Sequence, residues 1–137
     1  MNMKKVIKHG LIVLLALTTN QAIFADKLTI NISGAIVNQG KVLIAVFNNA
    51  KAFPSGTPVK RITLAATAES HSIDLPKGVY AIAAFQDKNN NNKLDFNFFK
   101  IPKEKMGVSG KKQFGKPNFL NASFKLSNKQ SISINMK

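Results

Sequence analysis

The sequence predicts an all-β protein built as a single β-sandwich of about seven short strands with Greek-key connections, immunoglobulin-like or prealbumin-like. Three observations favour this class. Apolar residues alternate with polar ones at the spacing of strands, and Gly, Pro and Asn separate the alternating runs. No stretch after residue 26 keeps a helical apolar period for three turns. With 137 residues, the chain has room for one core and not for two.

The strands follow from this alternation in chain order. Leu28, Ile30 and Ile32 alternate with polar residues, which predicts a half-buried first strand. In the segments 41–47 and 79–85, both the odd- and the even-numbered positions are apolar, which predicts central strands covered on both faces. Shorter alternating runs predict the other strands at 59–65, 70–75, 122–126 and 131–136.

Turn residues mark the connections between these strands. Asn38-Gln39-Gly40 is expected to close a hairpin between the first two strands. One helical turn is expected near 49–53, before the break at 54–58. The segment 75–80 predicts a corner of the sandwich, where the hydroxyl of Tyr80 either pins the turn or belongs to an ordinary strand aromatic.

The first 25 residues have the three-part layout of a secretory signal peptide. Lys4, Lys5 and Lys8 precede an apolar run at 11–17, and small and polar residues follow up to Ala25. The apolar run is shorter than the ~20 residues that cross a bilayer. We therefore expect cleavage after residue 25 and an exported protein, periplasmic or extracellular. Its one domain would span residues 26–137, with no transmembrane segment in the mature chain.

The composition is strongly basic and contains no cysteine. The formal charge is +14, and removing the three lysines of the leader leaves +11. The absence of cysteine excludes disulfides, a thiol nucleophile and Cys-ligated zinc. Lysine outnumbers arginine by 19 to 1, whereas phosphate recognition favours the arginine fork. We therefore expect no nucleic-acid partner.

The segment 87–95 is the strongest candidate site. Counted from its first residue, side chains that carry oxygen stand at positions 1, 3, 5 and 9, and a backbone carbonyl is available at position 7. This is the front half of a calcium loop of the EF-hand type, in which alternate residues turn oxygens inward. The expected calcium ligands are Asp87, Asn89, Asn91, Lys93 and Asp95.

The loop departs from the EF-hand pattern at two positions. Asn92 stands where the pattern has Gly, and Phe98 stands where it has a bidentate Glu. Water, backbone carbonyls or a distant acid such as Glu104 would have to complete the shell, so we expect an affinity on the order of 10⁻⁴ to 10⁻³ M. The alternative is an Asn-rich connection that closes itself by hydrogen bonds from side chain to backbone. The sequence leaves both interpretations open.

A basic segment rich in phenylalanine follows this loop. An anionic envelope polymer or lipid head groups are the partners that its charge favours. Phe96, Phe98 and Phe119 are expected to cover an edge or face of the sandwich, because a long loop without such contacts is costly to order. The lysines expected to meet the partner are Lys100, Lys103, Lys105, Lys111, Lys112 and Lys116.

The residues needed for catalysis are sparse. Once the leader is removed, His71 is the single imidazole, and we expect it to face solvent on an edge strand. Asp87 and Asp95 fit chelation better than a glycosidase pair, because amide oxygens surround them. We therefore expect no enzyme but an exported binding or accessory protein. The alternatives are a purely structural envelope protein without ligand and a hydrolase acting on an anionic polymer.

Several motifs, in order, resemble a bacterial secreted family known as domain of unknown function 2141. They are Gly78-Val79-Tyr80-Ala81-Ile82, Phe85-Gln86-Asp87, the loop up to Asp95, Gly107, and Gly115-Lys116-Pro117-Asn118-Phe119. The family usually has Asp-x-Asn-x-Asn-Gly-x-Leu-Asp, then Gly-Ile-Pro-x-Glu and Gly-Phe-Ser. Here Asn92 and Lys100 replace two of the glycines, and Val108 replaces the phenylalanine. The resemblance spans about residues 28–136; it implies an exported β-sandwich and no known activity.

Overall fold

The structure is a computed structural model that describes residues 24–111 and 113–137. The predicted leader lies outside the described residues except for its last two positions, Phe24 and Ala25. The described chain is nearly all β, which confirms the predicted class. Its elements are β1 (Ala25–Ser33), β2 (Lys41–Phe47), β3 (Lys60–Ala65), β4 (Ser70–Pro76), β5 (Gly78–Asp87), β6 (Met106–Val108), α1 (Phe119–Ala122), β7 (Phe124–Leu126) and β8 (Gln130–Asn135).

The strands form two packed sheets. The smaller sheet has the order β4-β1-β8, with β1 antiparallel to β4 and parallel to β8. The larger sheet has the order β3-β2-β5-β6, and β7 also pairs with β5. Strand β5 therefore lies centrally in the larger sheet, and the candidate loop begins where this strand ends.

The core lies between the two sheets and follows the alternation of the sequence. Leu28 and Ile30 of β1 are fully buried against Val42 and Ile44 of β2 within one apolar cluster. A second cluster covers the outer face of the larger sheet, where α1 and the turn after β2 pack. This cluster contains Phe47, Phe53, Ala81 and Ala122. The prediction that β2 and β5 are covered on both faces is thus confirmed.

A tyrosine corner joins the smaller sheet to the larger one. The hydroxyl of Tyr80 donates a hydrogen bond of 2.8 Å to the carbonyl of Pro76, four residues earlier. The ring is buried in the core, and this burial raises the pKa of Tyr80 above its ordinary value of 10.0. Of the two interpretations left open for this tyrosine, the structure confirms the pinned corner.

The hairpin expected at Asn38-Gln39-Gly40 is wrong. Asn38 and Gly40 do form a turn with φ of 63° and 60°, but β1 and β2 belong to different sheets. The segment instead crosses between the sheets and is held by the buried side chain of Gln86 on β5. This amide accepts a hydrogen bond from the N–H of Ile36 at 2.8 Å and donates to the carbonyls of Ile36 and Gln39 at 2.7 and 2.6 Å.

The strand expected at 122–126 is partly wrong. Residues 119–122 form the short helix α1, and the side chain of Asn118 caps it by accepting a hydrogen bond of 3.0 Å from the N–H of Asn121. The strand begins only at Phe124. The expected helical turn near 49–53 is confirmed by a hydrogen bond of 3.2 Å from the N–H of Phe53 to the carbonyl of Asn49.

Candidate functional site

The candidate loop is folded around the carboxylate of Asp87. Asp87 is the last residue of β5, and its side chain is fully buried. Its Oδ1 accepts the N–H of Asn91 at 3.1 Å, and its Oδ2 accepts the N–H of Asn92 at 2.8 Å. Asn90 and Asn92 adopt φ of 58° and 62°, the left-handed region that Asn tolerates better than most residues. Asn92 therefore takes the backbone conformation for which the calcium pattern uses Gly.

Three of the predicted ligands converge on one side of the loop. Asn89 Nδ2 donates to Asp95 Oδ2 at 2.7 Å, and Asn91 Nδ2 donates to the two oxygens of Asp95 at 3.1 and 3.0 Å. Lys93 contacts this group through its backbone N–H, which donates to Asn91 Oδ1 at 2.9 Å. Asp87 closes the same loop from its buried end.

Glu104 lies beneath both ends of the loop. The sequence suggested this residue only as a distant acid, but its side chain is 6% exposed and directly bonded to the loop. Oε1 accepts the N–H of Lys88 at 2.9 Å, and Oε2 accepts the N–H of Asp95 at 3.2 Å. Three of the six acidic residues of a strongly basic chain therefore lie in this loop or bond directly to it.

Lys41 brings one positive charge to the buried end of the loop. Its Nζ donates to Asn92 Oδ1 at 2.6 Å and lies 3.8 Å from Asp87 Oδ2. Among residues 24–111 and 113–137, no group of three or more His, Asp or Glu side chains has the arrangement of a metal site. A cation in the loop would thus depend on amide and carbonyl oxygens as well as on Asp95.

The loop also makes the hydrogen bonds that the self-closing alternative predicts. Asn89 Oδ1 accepts the N–H of Asn91 at 3.2 Å, and Asn91 Oδ1 accepts the N–H of Lys93. The amide nitrogens of both side chains point at the carboxylate of Asp95. Calcium binds oxygen, so these two amides would have to rotate before their oxygens could face a cation at this position.

The basic segment has a different arrangement from the one expected. Phe119 packs on Phe53 with ring centroids 6.0 Å apart, which confirms that this ring docks. Phe96 and Phe98 are exposed, so the same expectation is wrong for them. The reason is local: residues 96–102 form a tight hairpin closed on itself by a bridge between Phe96 and Pro102 and by a hydrogen bond from the N–H of Asn97 to the carbonyl of Ile101.

The six predicted lysines do not all serve one surface. Lys105 Nζ donates to the carbonyl of Gly34 at 2.8 Å, and Lys112 lies outside the described residues. The other four are exposed: Lys100, Lys103, Lys111 and Lys116. Lys111 also lines an open groove of about 380 Å³ beside β6 and β8, together with Lys137.

His71 and the candidate loop belong to different sheets. His71 lies on β4 in the smaller sheet, paired with Ile30, whereas the loop follows β5 of the larger sheet. Its side chain is half-buried and shares a face with Ile73, so the expectation that it faces solvent is wrong. The structure thus places the carboxylates of Asp87 and Asp95 at the same loop, both in contact with Asn91, and the imidazole on the other sheet. In the part of the chain that the structure describes, no helix is both long and apolar enough to cross a bilayer.

The structure gives physical reasons for the motifs quoted from the sequence. Lys100, where the usual pattern has Gly, has φ of 59°. A side chain on Gly107 would collide with the carbonyl of Asn135. Ser109 is buried; its Oγ accepts the N–H of Ile82 at 2.8 Å and donates to the carbonyl of Ala122 at 2.6 Å.

Comparison with known proteins gives one match. No curated protein and no solved structure matches the chain. A family model described as "Uncharacterized protein conserved in bacteria (DUF2141)" matches residues 30–134, from within β1 into β8. This range covers the whole candidate loop and the basic segment, and it confirms the resemblance seen in the motifs. The chain therefore belongs to the DUF2141 family of uncharacterised bacterial proteins.

Proposed function

We propose that this chain is an exported, non-catalytic binding or accessory protein in which calcium, bound weakly by the loop 87–95, steadies an adjoining basic surface formed by the exposed Lys100 and Lys103. The basic surface then meets an anionic envelope polymer or lipid head groups. One observation carries the proposal: the buried Glu104 bonds the backbone of the loop at Lys88 and at Asp95, immediately before the basic segment. Order in the loop is thereby linked to order in that segment.

The loop supplies the oxygens that a hard cation uses. Asp95 offers a carboxylate, Asn89 and Asn91 offer amide oxygens after rotation, and the residue at position 93 offers a backbone carbonyl. Asp87 has spare acceptor capacity, because a carboxylate has about four lone-pair positions and two are used by backbone amides. With Lys41 so close, the affinity is expected to stay on the order of 10⁻⁴ to 10⁻³ M, as for other weak sites.

The basic surface is joined to the loop by the backbone. The N–H of Lys103 donates to the carbonyl of Asp95 at 2.8 Å, so the hairpin at 96–102 starts and ends beside the candidate ligand. A cation held by Asp95 would reduce motion where the hairpin starts and ends. Lys100 and Lys103 would then present their charge to an anionic partner at a fixed position.

Thermal unfolding with and without calcium tests the metal site. If the dissociation constant is about 1 mM, 10 mM CaCl₂ should stabilise the protein by about 1.4 kcal/mol and raise the Tm by about 5 °C. Asp95→Asn should abolish the increase, whereas Asp74→Asn, which removes an exposed carboxylate elsewhere, should retain it. A Tm that calcium leaves unchanged would remove the metal from the proposal.

Export is tested separately. The protein is expressed from its full sequence in a bacterium and the cell fractions are compared. We expect the protein in the periplasm or medium, with an N-terminus at Asp26. Cleavage after Ala25 would leave intact the pairing of β1 with β4 from Asp26 onward. Full-length protein confined to the cytoplasm would contradict this part of the proposal.

A further inference from the structure

The hairpin at residues 96–102 exposes an unusual amount of apolar surface. Phe98 is 95% exposed and Phe99 78%, and Ile101 and Phe96 follow at 58% and 54%. Four large apolar side chains within six residues form a contiguous exposed set of the kind that marks an interaction site. We call Phe96, Phe98, Phe99 and Ile101 the apolar tip.

Hydrogen bonds within the hairpin order the backbone that carries these exposed side chains. Asn97 Oδ1 accepts the N–H of Phe99 at 2.9 Å and the N–H of Ile101 at 3.0 Å. The N–H of Asn97 donates to the carbonyl of Ile101, and the N–H of Lys100 donates to the carbonyl of Asn97, both at 2.9 Å. The rings of Phe98 and Phe99 meet edge to face, with centroids 5.5 Å apart. The apolar tip is thus a built feature of this loop.

These internal hydrogen bonds suit entry into an apolar layer. An unpaired N–H group is costly to remove from water, and four of the five N–H groups from 97 to 101 already donate within the hairpin. Lys100 lies within the tip, and Lys93 and Lys103 lie on either side of it in the chain. The one acidic side chain between residues 93 and 103, Asp95, accepts hydrogen bonds from Asn89 and Asn91. Long lysine side chains can keep their ammonium groups at a charged surface while neighbouring rings enter the layer beneath.

We propose that the apolar tip inserts into the interface of a lipid bilayer that carries anionic head groups, and that the flanking lysines bind those head groups. This inference deepens the proposed function, because it rests on the basic surface proposed there and selects lipid over polymer. A soluble polyanion matches the lysines but offers no apolar phase for Phe98 and Phe99. A second copy of this chain would bring the same positive charge to the contact and repel it.

Vesicle sedimentation tests the proposal with protein purified after export. The probes are vesicles of phosphatidylcholine alone, vesicles with about 30% phosphatidylglycerol, and soluble polyphosphate, all in EDTA at low salt. We expect at least tenfold tighter binding to the anionic vesicles than to the neutral ones. The double variant Phe98→Ser/Phe99→Ser should lose at least tenfold in affinity for anionic vesicles and keep its affinity for polyphosphate. Leu120→Ser, which removes a side chain 85% exposed on α1, should bind like the wild type.

Lysine variants distinguish a failure of this inference from a failure of the proposed function. Lys100→Gln/Lys103→Gln should weaken binding to vesicles and to polyphosphate alike, by about fivefold for each lysine, whereas Lys129→Gln should change neither. Unchanged vesicle binding by the double Phe variant would overturn the apolar tip and leave the basic surface intact. Unchanged binding by the double Lys variant to both probes would overturn the basic surface itself.

A fluorescence probe reports insertion directly. The chain contains no tryptophan, so Phe98→Trp would place a single indole at the tip. Its emission should shift to shorter wavelength with anionic vesicles, and lipids brominated on their acyl chains should quench it. An unshifted, unquenched emission would overturn insertion. Concentration-dependent dimers that Phe98→Ser abolishes, without vesicle binding, would also overturn it and assign the tip to a contact between copies.

Discussion

Glu104 lies directly under Asp95, and its Oε2 accepts the backbone N–H of Asp95 at 3.2 Å. The other oxygen of the same carboxylate accepts the N–H of Lys88, seven residues earlier in the chain. One buried side chain thus fixes both ends of the candidate loop, and the segment that carries the apolar tip lies between Asp95 and Glu104. The loop and the hairpin are therefore ordered by the same group.

Removing this carboxylate should destabilise the protein. Glu104→Ala would leave two backbone N–H groups without their charged acceptor, at a cost of about 2–3 kcal/mol in the free energy of unfolding. Glu69→Ala, on an exposed side chain, should change that free energy by less than about 0.5 kcal/mol. Urea denaturation of the three proteins provides the measurement. Equal midpoints for the two variants would contradict the role assigned to Glu104.

Gly40 should tolerate no side chain. It has φ of 60°, and a Cβ there would collide with the backbone carbonyl of Asp87, at the start of the loop. Gly115 is a matched control, because it has φ of 75° and open space where a Cβ would lie. Gly115→Ala should cost about 1–2 kcal/mol from its backbone conformation alone. Gly40→Ala should cost clearly more in the same urea experiment; similar losses would show that the close approach is unimportant.

Tyr80 should make stability depend on pH in the alkaline range. Because burial raises the pKa of the folded phenol, the neutral form stabilises the fold fully below pH about 10, and this stability is lost as the pH rises through the folded pKa. Tyr80→Phe removes both the hydrogen bond to Pro76 and this titration. At pH 8 the variant should be about 1 kcal/mol less stable than the wild type. By pH 11 the difference should shrink or reverse; a constant difference would contradict the assignment.

Ser109 should contribute more to the free energy of unfolding than an exposed serine does. Its buried hydroxyl accepts a hydrogen bond from the N–H of Ile82 on β5 and donates one to the carbonyl of Ala122 in α1. Ser109→Ala would leave both groups unpaired and should lower the free energy of unfolding by about 2 kcal/mol. Ser127→Ala, at an exposed position, serves as the control. Thermal unfolding measures both, and a Tm for Ser109→Ala equal to that of the control would refute this contact.

The sequence predicted those features that depend on local pattern. Strands β2 and β5 were visible as apolar runs, and the segment 75–80 was expected to form a corner, although only the structure showed that the Tyr80 hydroxyl pins it. The backbone conformation of Asn92 also agreed with its position in the loop. In each case the physical cause lies within a few residues of the signal.

Features that depend on distant partners were missed. The side chain of Gln86 holds the crossing at Ile36, and nothing in the turn at 38–40 distinguishes a hairpin from a crossing between sheets. Strand β6 spans only three residues, too few to show alternation. Phe98 was expected to dock because a long loop without such contacts is costly to order, but Asn97 orders this hairpin by accepting the N–H groups of Phe99 and Ile101, and Phe98 is 95% exposed.

Calcium titration followed by NMR tests the central claim most directly. In ¹⁵N-labelled protein, we expect saturable shifts of the backbone N–H signals of residues 87–95, with a dissociation constant on the order of 10⁻⁴ to 10⁻³ M. The side-chain amides of Asn89 and Asn91 should shift with them as they leave the carboxylate of Asp95. Asp95→Asn should remove these changes. Shifts that magnesium at equal ionic strength reproduces, or no shifts within the loop, would contradict a calcium site.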